Sequence, residues 1–318
     1  MYYPFFRGKQ YELITIRESA ELMSHSGFVP ILEPVKEDLR GLEKVLEAVK
    51  TAGGRIIVVV NPSYGELPYG DNRLKELLMK SDNTGNMAGH ISTGILLREN
   101  TNIGEIKSLI KEYGELPVSL IHAGFSNASE LMEGLSDKNN ISRHIFFDEK
   151  SGKLYRKHFK EVPKIILRDG FRKKVNREYP DVEFFSDLHA TYSDEGMDGF
   201  GDFLIVGNEY SETGGPAYAV AIHLTFIDSN KDNEMHIYHF KSLRQDDPKD
   251  PAGKFAEALE KLVDAVQKDN TQISKTSAVE EFLRLHQKGH FPGLGYVKKL
   301  SMKHHIETLA EYFNSGVK

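Results

Sequence analysis

RIIVVVNP, residues 55–62, is the stretch that decides the fold of this chain. Its aliphatic run, from Ile56 to Val60, is apolar on both faces of an extended chain, which is typical of a strand buried in a parallel sheet. The segment before it, residues 37–51, places leucines and valines at helical spacing. A helix followed by a buried strand is the repeating unit of α/β proteins.

The same alternation of strand and helix continues along the chain. Further helical patterns occupy residues 102–113 and 128–135. Apolar runs with strand character lie at residues 28–35, 55–62, 91–99, 117–125, 143–149, 163–171, 203–210 and 218–228. Eight such units fit a chain of 318 residues, and the first run lacks the glycine-rich phosphate turn typical of an open doubly wound sheet. We therefore predict an α/β fold of the (β/α)8 TIM-barrel type, with the open sheet as the alternative.

A turn-rich spacer, QDDPKDP at residues 245–251, interrupts this alternation. Three segments with helical patterns follow it, beginning at residue 252. We expect a barrel domain over residues 1–244, which begins with a lead-in helix over residues 11–23. Residues 252–318 are then a C-terminal helical extension, packed on the barrel or closing it.

Composition excludes several classes of function. The chain has 41 basic and 47 acidic side chains, so it lacks a basic balance suited to nucleic acid, and DNA binding is unlikely. It has no cysteine, which excludes disulfides, thiolate zinc sites and cysteine nucleophiles. The N-terminal sequence lacks the order of a signal peptide, and the longest aliphatic run is far too short to span a membrane. We expect a cytoplasmic protein with no membrane association.

Candidate site residues follow from the barrel itself, because catalytic groups in this fold lie where the strands end. The predicted strand ends carry Glu33, Asn61, Arg98, His122, Asp148, Arg168 and Asp169, and His223 lies within the last predicted strand. In the functional interpretation, Arg98 and Arg168 clamp an anion, while Glu33, His122, Asp148 and Asp169 act as acids or bases. The alternative is that strand ends meet solvent and therefore become polar.

Oxygen ligands outnumber histidines among these residues, which favours a Mg-like divalent metal over zinc. We expect Glu33 and Asp148 to be its ligands. The substrate-binding set comprises Arg7, Lys9, Asn61, Arg98, Arg168 and His223. Because Arg168 is directly followed by Asp169 and Gly170, it resembles a group presented to a ligand, and we expect its loss to affect binding more than folding.

The N-terminal segment Arg7-Gly8-Lys9 has two interpretations. It is a phosphate or partner contact in which Gly8 lets the backbone approach closely, or it is a solvated lead-in whose aromatic neighbours plug the barrel. The glycine-rich residues 194–217 are likewise either a ligand-facing loop or ordinary turns. His304-His305 is typical of a solvated helix start.

Two stretches resemble a bacterial family. Residues 3–13, YPFFRGKQYEL, and residues 198–202, DGFGD, followed by PAYAVAIHLT at 216–225, are similar to the sce7725 family within the group called beta family proteins. The resemblance covers nearly the whole chain. It implies bacterial origin, a barrel, genes on mobile or phage-related elements, and a second small protein encoded nearby. It brings no established catalytic residues.

Two functional hypotheses follow. In the first, the chain is an enzyme: a metal-assisted hydrolase or lyase, such as a metal-dependent phosphoester hydrolase, acting on a phosphate-bearing or nucleotide-derived anionic substrate. In the second, it is a non-catalytic sensing or binding component that works with a partner encoded nearby. The mobile-element context that the resemblance implies makes anti-phage defence compatible with either hypothesis.

Overall fold

The computed structural model describes residues 1–67, 71–83, 89–135, 140–212 and 215–316. The chain divides into two compact units. Met1–Arg168 and Thr191–Phe203 form the first, here called the barrel unit, and Asp169–Ala190 and Leu204–Lys318 form the second unit.

The strands alternate with helices over most of the barrel unit. The strands are β1 (Phe5–Phe6), β2 (Ile31–Leu32), β3 (Ile56–Val59), β4 (Ile91–Arg98), β5 (Val118–Ala123), β6 (Ile141–Phe147), β7 (Lys164–Leu167), β8 (Val182–Ser186), β9 (Gly199–Gly201), β10 (Ala221–Asp228) and β11 (Glu234–Lys241). The helices are α1 (Gln10–Glu18), α2 (Ala20–His25), α3 (Arg40–Thr51), α4 (Asn72–Asn83), α5 (Ile103–Glu112), α6 (Ala128–Leu135), α7 (Lys153–Arg156), α8 (Leu188–Thr191), α9 (Pro251–Val266), α10 (Ser277–Lys288) and α11 (Leu294–Asn314).

The barrel unit contains eight parallel strands in the order β1-β2-β3-β4-β5-β6-β7-β9. Backbone hydrogen bonds also join the two ends of this sheet. The N–H of Tyr3 donates to the carbonyl of Phe200 at 2.8 Å, and the N–H of Phe5 donates to the carbonyl of Asp202 at 2.9 Å. The Tyr2 hydroxyl adds a bond of 2.7 Å to the Asp202 carboxylate. The sheet therefore closes, which confirms the predicted (β/α)8 barrel with helices around it.

Six of the predicted strand runs form β2 to β7, but the first and last strands of the barrel differ from the prediction. The barrel begins with β1, in the stretch interpreted as a lead-in, and ends with the glycine strand β9. Residues 203–210 form turns, and residues 221–228 belong to another sheet. A Cβ on Gly201 would lie 2.0 Å from the Tyr3 carbonyl oxygen, so close contact between β1 and β9 requires glycine there.

The barrel interior is filled by alternate residues of the strands, as the two-residue period of a strand requires. This core comprises Tyr3, Phe5, Val29, Ile31, Ile57, Val59, Leu96, Ile121, Ile145, Phe147, Ile165, Leu167 and Phe203. Continuing the alternation along each strand places Arg7, Glu33, Asn61 and Arg98 on the inner face. The same alternation places His122 and Arg168 on the outer face.

The second unit is built around a three-stranded antiparallel sheet in the order β10-β11-β8. Helices α9, α10 and α11 share an apolar core with β10 and β11. The predicted C-terminal helices are therefore present. The expected domain boundary differs, because residues 169–190 and 204–244 belong to this unit and not to the barrel.

The interpretation of His304-His305 as a solvated helix start is wrong. Both histidines lie within α11 and are fully buried. His304 contacts the Thr276 hydroxyl at 2.8 Å and the Thr225 carbonyl oxygen at 2.8 Å, and His305 contacts the Thr225 hydroxyl at 3.0 Å. Burial lowers the pKa of His304 to about 4. These side chains hold α11 against the sheet.

Among the described residues, the helices are all too short or too polar to cross a membrane.

Candidate functional site

The predicted strand-end residues separate into several groups, and one of them lies on the inner face of the barrel at the C-terminal ends of its strands. We call this group the mouth cluster. It consists of Arg7, Glu33, Asn61 and Arg98, which follow β1, β2 and β3 or end β4. Because the strands are parallel, these residues all lie at the end of the barrel that carries active sites in this fold.

Glu33 is the centre of the mouth cluster and is 1% exposed. Its Oε1 accepts a hydrogen bond of 2.6 Å from the Ser63 N–H, and its Oε2 lies 3.4 Å from Arg7 Nε. Burial raises the pKa of Glu33, while the Ser63 N–H and the charges of Arg7 and Arg98 lower it by less. A carboxyl group with a raised pKa can exchange a proton at a pH where an exposed glutamate stays ionised.

Arg7 is held among aromatic rings. Its guanidinium carbon lies 5.3 Å from the ring centre of Tyr64 and 5.6 Å from those of Phe5 and Phe203. Such contacts favour a cation over an aromatic face. The Arg7 backbone N–H also donates to the Glu12 carboxylate of α1. The side chain is buried within the barrel unit, so the interpretation of this segment as a solvated lead-in is wrong for Arg7.

Local backbone geometry brings Arg7 and Glu33 together. Gly8 adopts a φ of +23°, and a Cβ there would lie 3.1 Å from the Glu33 carbonyl oxygen. The chain after β1 can therefore pass directly against the chain after β2. Lys9 follows as the N-cap residue of α1 and is partly exposed.

Asn61 has a structural role in the mouth cluster. Its amide nitrogen donates to the Leu96 carbonyl at 3.0 Å, and its amide oxygen accepts from the Leu96 N–H at 2.8 Å. The side chain thereby extends the hydrogen-bonded ladder between β3 and β4 and is fully buried. Both of its polar groups are used within the protein, so the geometry does not support its predicted role in substrate binding.

Arg98 is the member of the cluster that is best placed to bind a ligand. It is partly exposed at the end of β4. Among the described residues, its guanidinium makes two long hydrogen bonds, 3.5 Å to the Pro62 carbonyl and 3.4 Å to the Ser63 hydroxyl. Bonds of this length are weak, so most of the donor capacity of this side chain is available to an anion.

The inner face at this end of the barrel is polar on one side and apolar on the other. The polar side comes from the mouth cluster on β1 to β4. On the remaining strands the last inward residues are Ala123, Phe147, Leu167 and Phe203. A ligand with an anionic part and an apolar part would match both halves.

Asp148 and Arg168 belong to a different group, which we call the ion-pair square. Arg168 Nε binds Asp148 at 2.7 Å, and Arg156 Nη1 binds the other oxygen of Asp148 at 2.9 Å. Glu195 closes the square by accepting from Arg168 Nη2, and it lies 3.9 Å from Arg156 Nη2. Burial lowers the pKa of Arg168, but its bonds to Asp148 and Glu195 outweigh this effect and raise it.

The ion-pair square corrects the prediction that Arg98 and Arg168 clamp one anion. Each positive charge of the square is already matched by a carboxylate within the barrel unit. Arg168 also lies on the outer face of β7, whereas Arg98 lies on the inner face of β4. The two arginines therefore do not converge on one ligand.

His122 is a core histidine on the outer face of β5, fully buried. Its Nδ1 lies 2.7 Å from the Tyr155 hydroxyl, its Nε2 lies 2.9 Å from His144 Nδ1, and its ring stacks on Phe146. Burial, and to a lesser degree His144, lowers the pKa of His122. The predicted acid therefore does not face the mouth cluster.

Asp169 and His223 both lie in the second unit. The Asp169 carboxylate accepts from the backbone N–H groups of Phe171 at 2.9 Å and Asn208 at 2.6 Å, so it fixes two loops. His223 lies in β10, with its Nδ1 2.7 Å from Nδ1 of His239 on β11. The sequence predicted this segment as the last strand of the barrel, but β10 belongs to the antiparallel sheet of the second unit.

The predicted metal ligands do not fit a common ion. Glu33 and Asp148 lie in different groups, each against arginines, and the positive charge there disfavours a cation. In the described part of the chain, no three His, Asp or Glu side chains are grouped to hold a metal ion. We therefore derive no step through a metal.

Sequence reasoning missed four residues that complete these groups. Ser63 and Tyr64 follow β3 directly, and a loop residue next to a strand end was a detectable signal. Arg156 lies in the short helix α7 and Glu195 lies in the glycine-rich residues 194–217, and nothing in the sequence pairs either of them with Asp148 or Arg168.

Comparison with known proteins yields structural likeness alone. One match is morphinone reductase, a mutant in complex with tetrahydroNAD, with a TM-score of 0.34 and 11% identity over 63% of this chain and 82% of that chain. Another is the enoyl reductase domain of MlnA from the macrolactin biosynthesis cluster of Bacillus amyloliquefaciens, with a TM-score of 0.34 and 12% identity over 99% of this chain and 81% of that chain. No family model and no curated protein matches the sequence.

Proposed function

We propose that this chain binds a small anionic molecule, phosphate-bearing or nucleotide-derived, at the mouth cluster of its barrel. The observation that carries the proposal is the partly exposed Arg98 guanidinium beside the buried carboxyl group of Glu33. Arginine donors match phosphate and carboxylate oxygens in pairs, and Arg98 has this capacity available.

The other members of the cluster have supporting roles. Arg7 lies against Glu33 and among aromatic rings, so it orients the carboxyl group and favours its ionised form. Tyr64 is 44% exposed and offers its ring at the edge of the cluster. An aromatic ring beside an arginine is a suitable surface for a nucleobase or another planar group.

Glu33 supplies acid–base chemistry to the proposed site. Because its pKa is raised by burial, it can take a proton from a bound molecule and return it. This supports a lyase or hydrolase that works by proton transfer. It differs from the metal-assisted reaction expected from the sequence, because the predicted ligands lie apart.

The first test is calorimetric titration of the full chain with pyrophosphate and with AMP. Arg98→Ala should weaken binding about tenfold or more, since a charge-assisted hydrogen bond is worth roughly 1.5–3 kcal/mol. Arg73→Ala is the matched control, because it also removes an arginine, but one that is paired with Asp71 and 56% exposed on α4. The proposal fails if neither compound binds the wild type, or if Arg98→Ala binds as well as the control.

Glu33→Gln separates catalysis from binding. It keeps the shape of the side chain but removes its ability to take a proton, so binding should persist while any turnover is lost. Binding by the wild type without turnover would favour the sensing alternative. The expected roles in phage defence and with a neighbouring partner stay predictions.

A further inference from the structure

Three side chains of the second unit form a hydrogen-bonded chain that shares no residue with the mouth cluster. Glu183 on β8 lies 3.1 Å through its Oε1 from His239 Nε2 on β11. The Nδ1 of His239 lies 2.7 Å from the Nδ1 of His223 on β10. The chain therefore crosses all three strands of the antiparallel sheet, from a carboxylate to a partly exposed histidine.

The direction of the hydrogen bonds in this chain follows from its chemistry. An ionised carboxylate accepts only, so His239 must donate to Glu183 through its Nε2–H. A neutral His239 then has a lone pair on Nδ1, which accepts from the Nδ1–H of His223. The Nε2 of His223 is left as an acceptor. Burial lowers the pKa of both histidines, that of His239 to about 4, so both are neutral at pH 7.

The surroundings of His223 add apolar walls and positive charge. The rings of Phe171 and Tyr179 lie 5.1 and 5.0 Å from the His223 ring, each edge to face. The charge of Lys298 acts on His223, and Lys174 binds Glu183 at 2.8 Å. An imidazole acceptor with the charge of Lys298 nearby is suited to a ligand that carries both a hydroxyl group and a negative charge.

We propose that His223 is the proton-accepting group of a second site, which binds a hydroxyl-bearing anion such as a phosphate or a phosphate monoester. The ligand O–H donates to His223 Nε2. When the proton transfers, the ligand oxygen keeps the bonding pair and His223 becomes an imidazolium. Glu183 then stabilises this cation through His239, because the Nδ1–H bond to His239 and the Nε2–H bond to Glu183 both persist.

Inorganic phosphate and sulfate test this site, because they have the same shape and only phosphate carries a hydroxyl group at pH 7. The measurement is two-bond ¹H–¹⁵N NMR of the histidine rings of the full chain. We expect the Nδ1–H tautomer at His223 and the Nε2–H tautomer at His239. Phosphate should shift the His223 Nε2 signal saturably, at concentrations about fivefold or more below those that sulfate requires.

Two variants should remove this preference, and one should keep it. His223→Phe deletes the acceptor and keeps a flat ring, and Glu183→Leu deletes the group that fixes the tautomers. Glu234→Gln is the matched control, because Glu234 also binds a histidine of the sheet, His236, at 3.0 Å without a second histidine following. All variants should give near-native NMR spectra outside the site.

Several results would overturn the proposal. These are an Nε2–H tautomer at His223, equal response to the two anions, no response to either, or a phosphate preference that survives in both His223→Phe and Glu183→Leu. If one of these two variants fails to fold, the tautomers and the anion preference of the wild type still decide the question.

Discussion

Replacing Arg168 with methionine tests the ion-pair square. Methionine keeps the length of the side chain and removes its charge, so Asp148 and Glu195 are left with Arg156 alone. Glu195 then keeps a contact of 3.9 Å to Arg156 and loses its closer partner. We expect this change to destabilise the barrel unit, whereas the sequence favoured an arginine presented to a ligand.

The magnitude follows from burial. Breaking a fully buried ion pair costs about 3–5 kcal/mol, and an exposed pair contributes about 0–1 kcal/mol. Arg156 is 6% exposed and Arg168 is 30% exposed, so the square lies between these limits. We expect Arg168→Met to lower the free energy of unfolding by about 2 kcal/mol, which corresponds to about 4–8 °C in melting temperature for a domain of this size.

The assay is a double-mutant cycle by urea unfolding at neutral pH. Glu195→Gln removes the second carboxylate, so the double variant pairs Arg156 with Asp148 and should be more stable than the two single effects predict. A coupling energy of about 1–2 kcal/mol is expected. Arg73→Met on exposed α4 serves as the control and should change stability by less than about 1 kcal/mol.

Two outcomes would refute this reasoning. One is additivity, with a coupling energy below about 0.5 kcal/mol. The other is an unfolding curve of Arg168→Met that matches the Arg73→Met control. Unchanged stability together with lost ligand binding would restore the view of Arg168 as a presented group.

Two further predictions concern the closure of the barrel and the loss of stability at acidic pH. Gly201→Ala should lower the free energy of unfolding in urea by about 3 kcal/mol or more, because its Cβ would lie 2.0 Å from the Tyr3 carbonyl oxygen. Gly152→Ala is the control, because a Cβ at Gly152 meets open space, and it should lower the free energy of unfolding by about 1 kcal/mol or less. Burial lowers the pKa of His144 to about 4. As the pH falls, His144 therefore takes up a proton in the unfolded chain before it does so in the folded protein. The free energy of unfolding should decrease between about pH 6.5 and 4, by up to about 1.4 kcal/mol per pH unit. His144→Asn should reduce that slope in urea unfolding and the exposed His158→Asn should not; equal slopes would contradict the assignment.

The six middle strands of the barrel could be predicted because each carries a run of aliphatic residues that a parallel sheet buries on both faces. The first and last could not. Strand β1 is two residues long, and β9 is Gly199–Gly201, whose glycines have no strand propensity and are required by the neighbouring chain. The residues that resemble a known family, 3–13 and 198–202, contain these two strands. A resemblance on them therefore reflects closure of the barrel as much as a site.

The candidate site was only half predictable, for a reason that lies in the same strands. A position at a strand end shows which end of the barrel a side chain occupies. Whether the side chain faces the inside or the outside depends on whether an odd or an even number of residues separates it from a core residue of the same strand. In a sheet with one solvent-exposed face, the alternation of polar and apolar residues shows which side chains point inward. Strands β3, β5 and β7 are largely apolar on both faces, so they carry no such signal. Glu33 and Arg98 fall on inward steps, and His122 and Arg168 fall one step away. That single step places two of the predicted groups in the mouth cluster and the other two in the packing around the barrel.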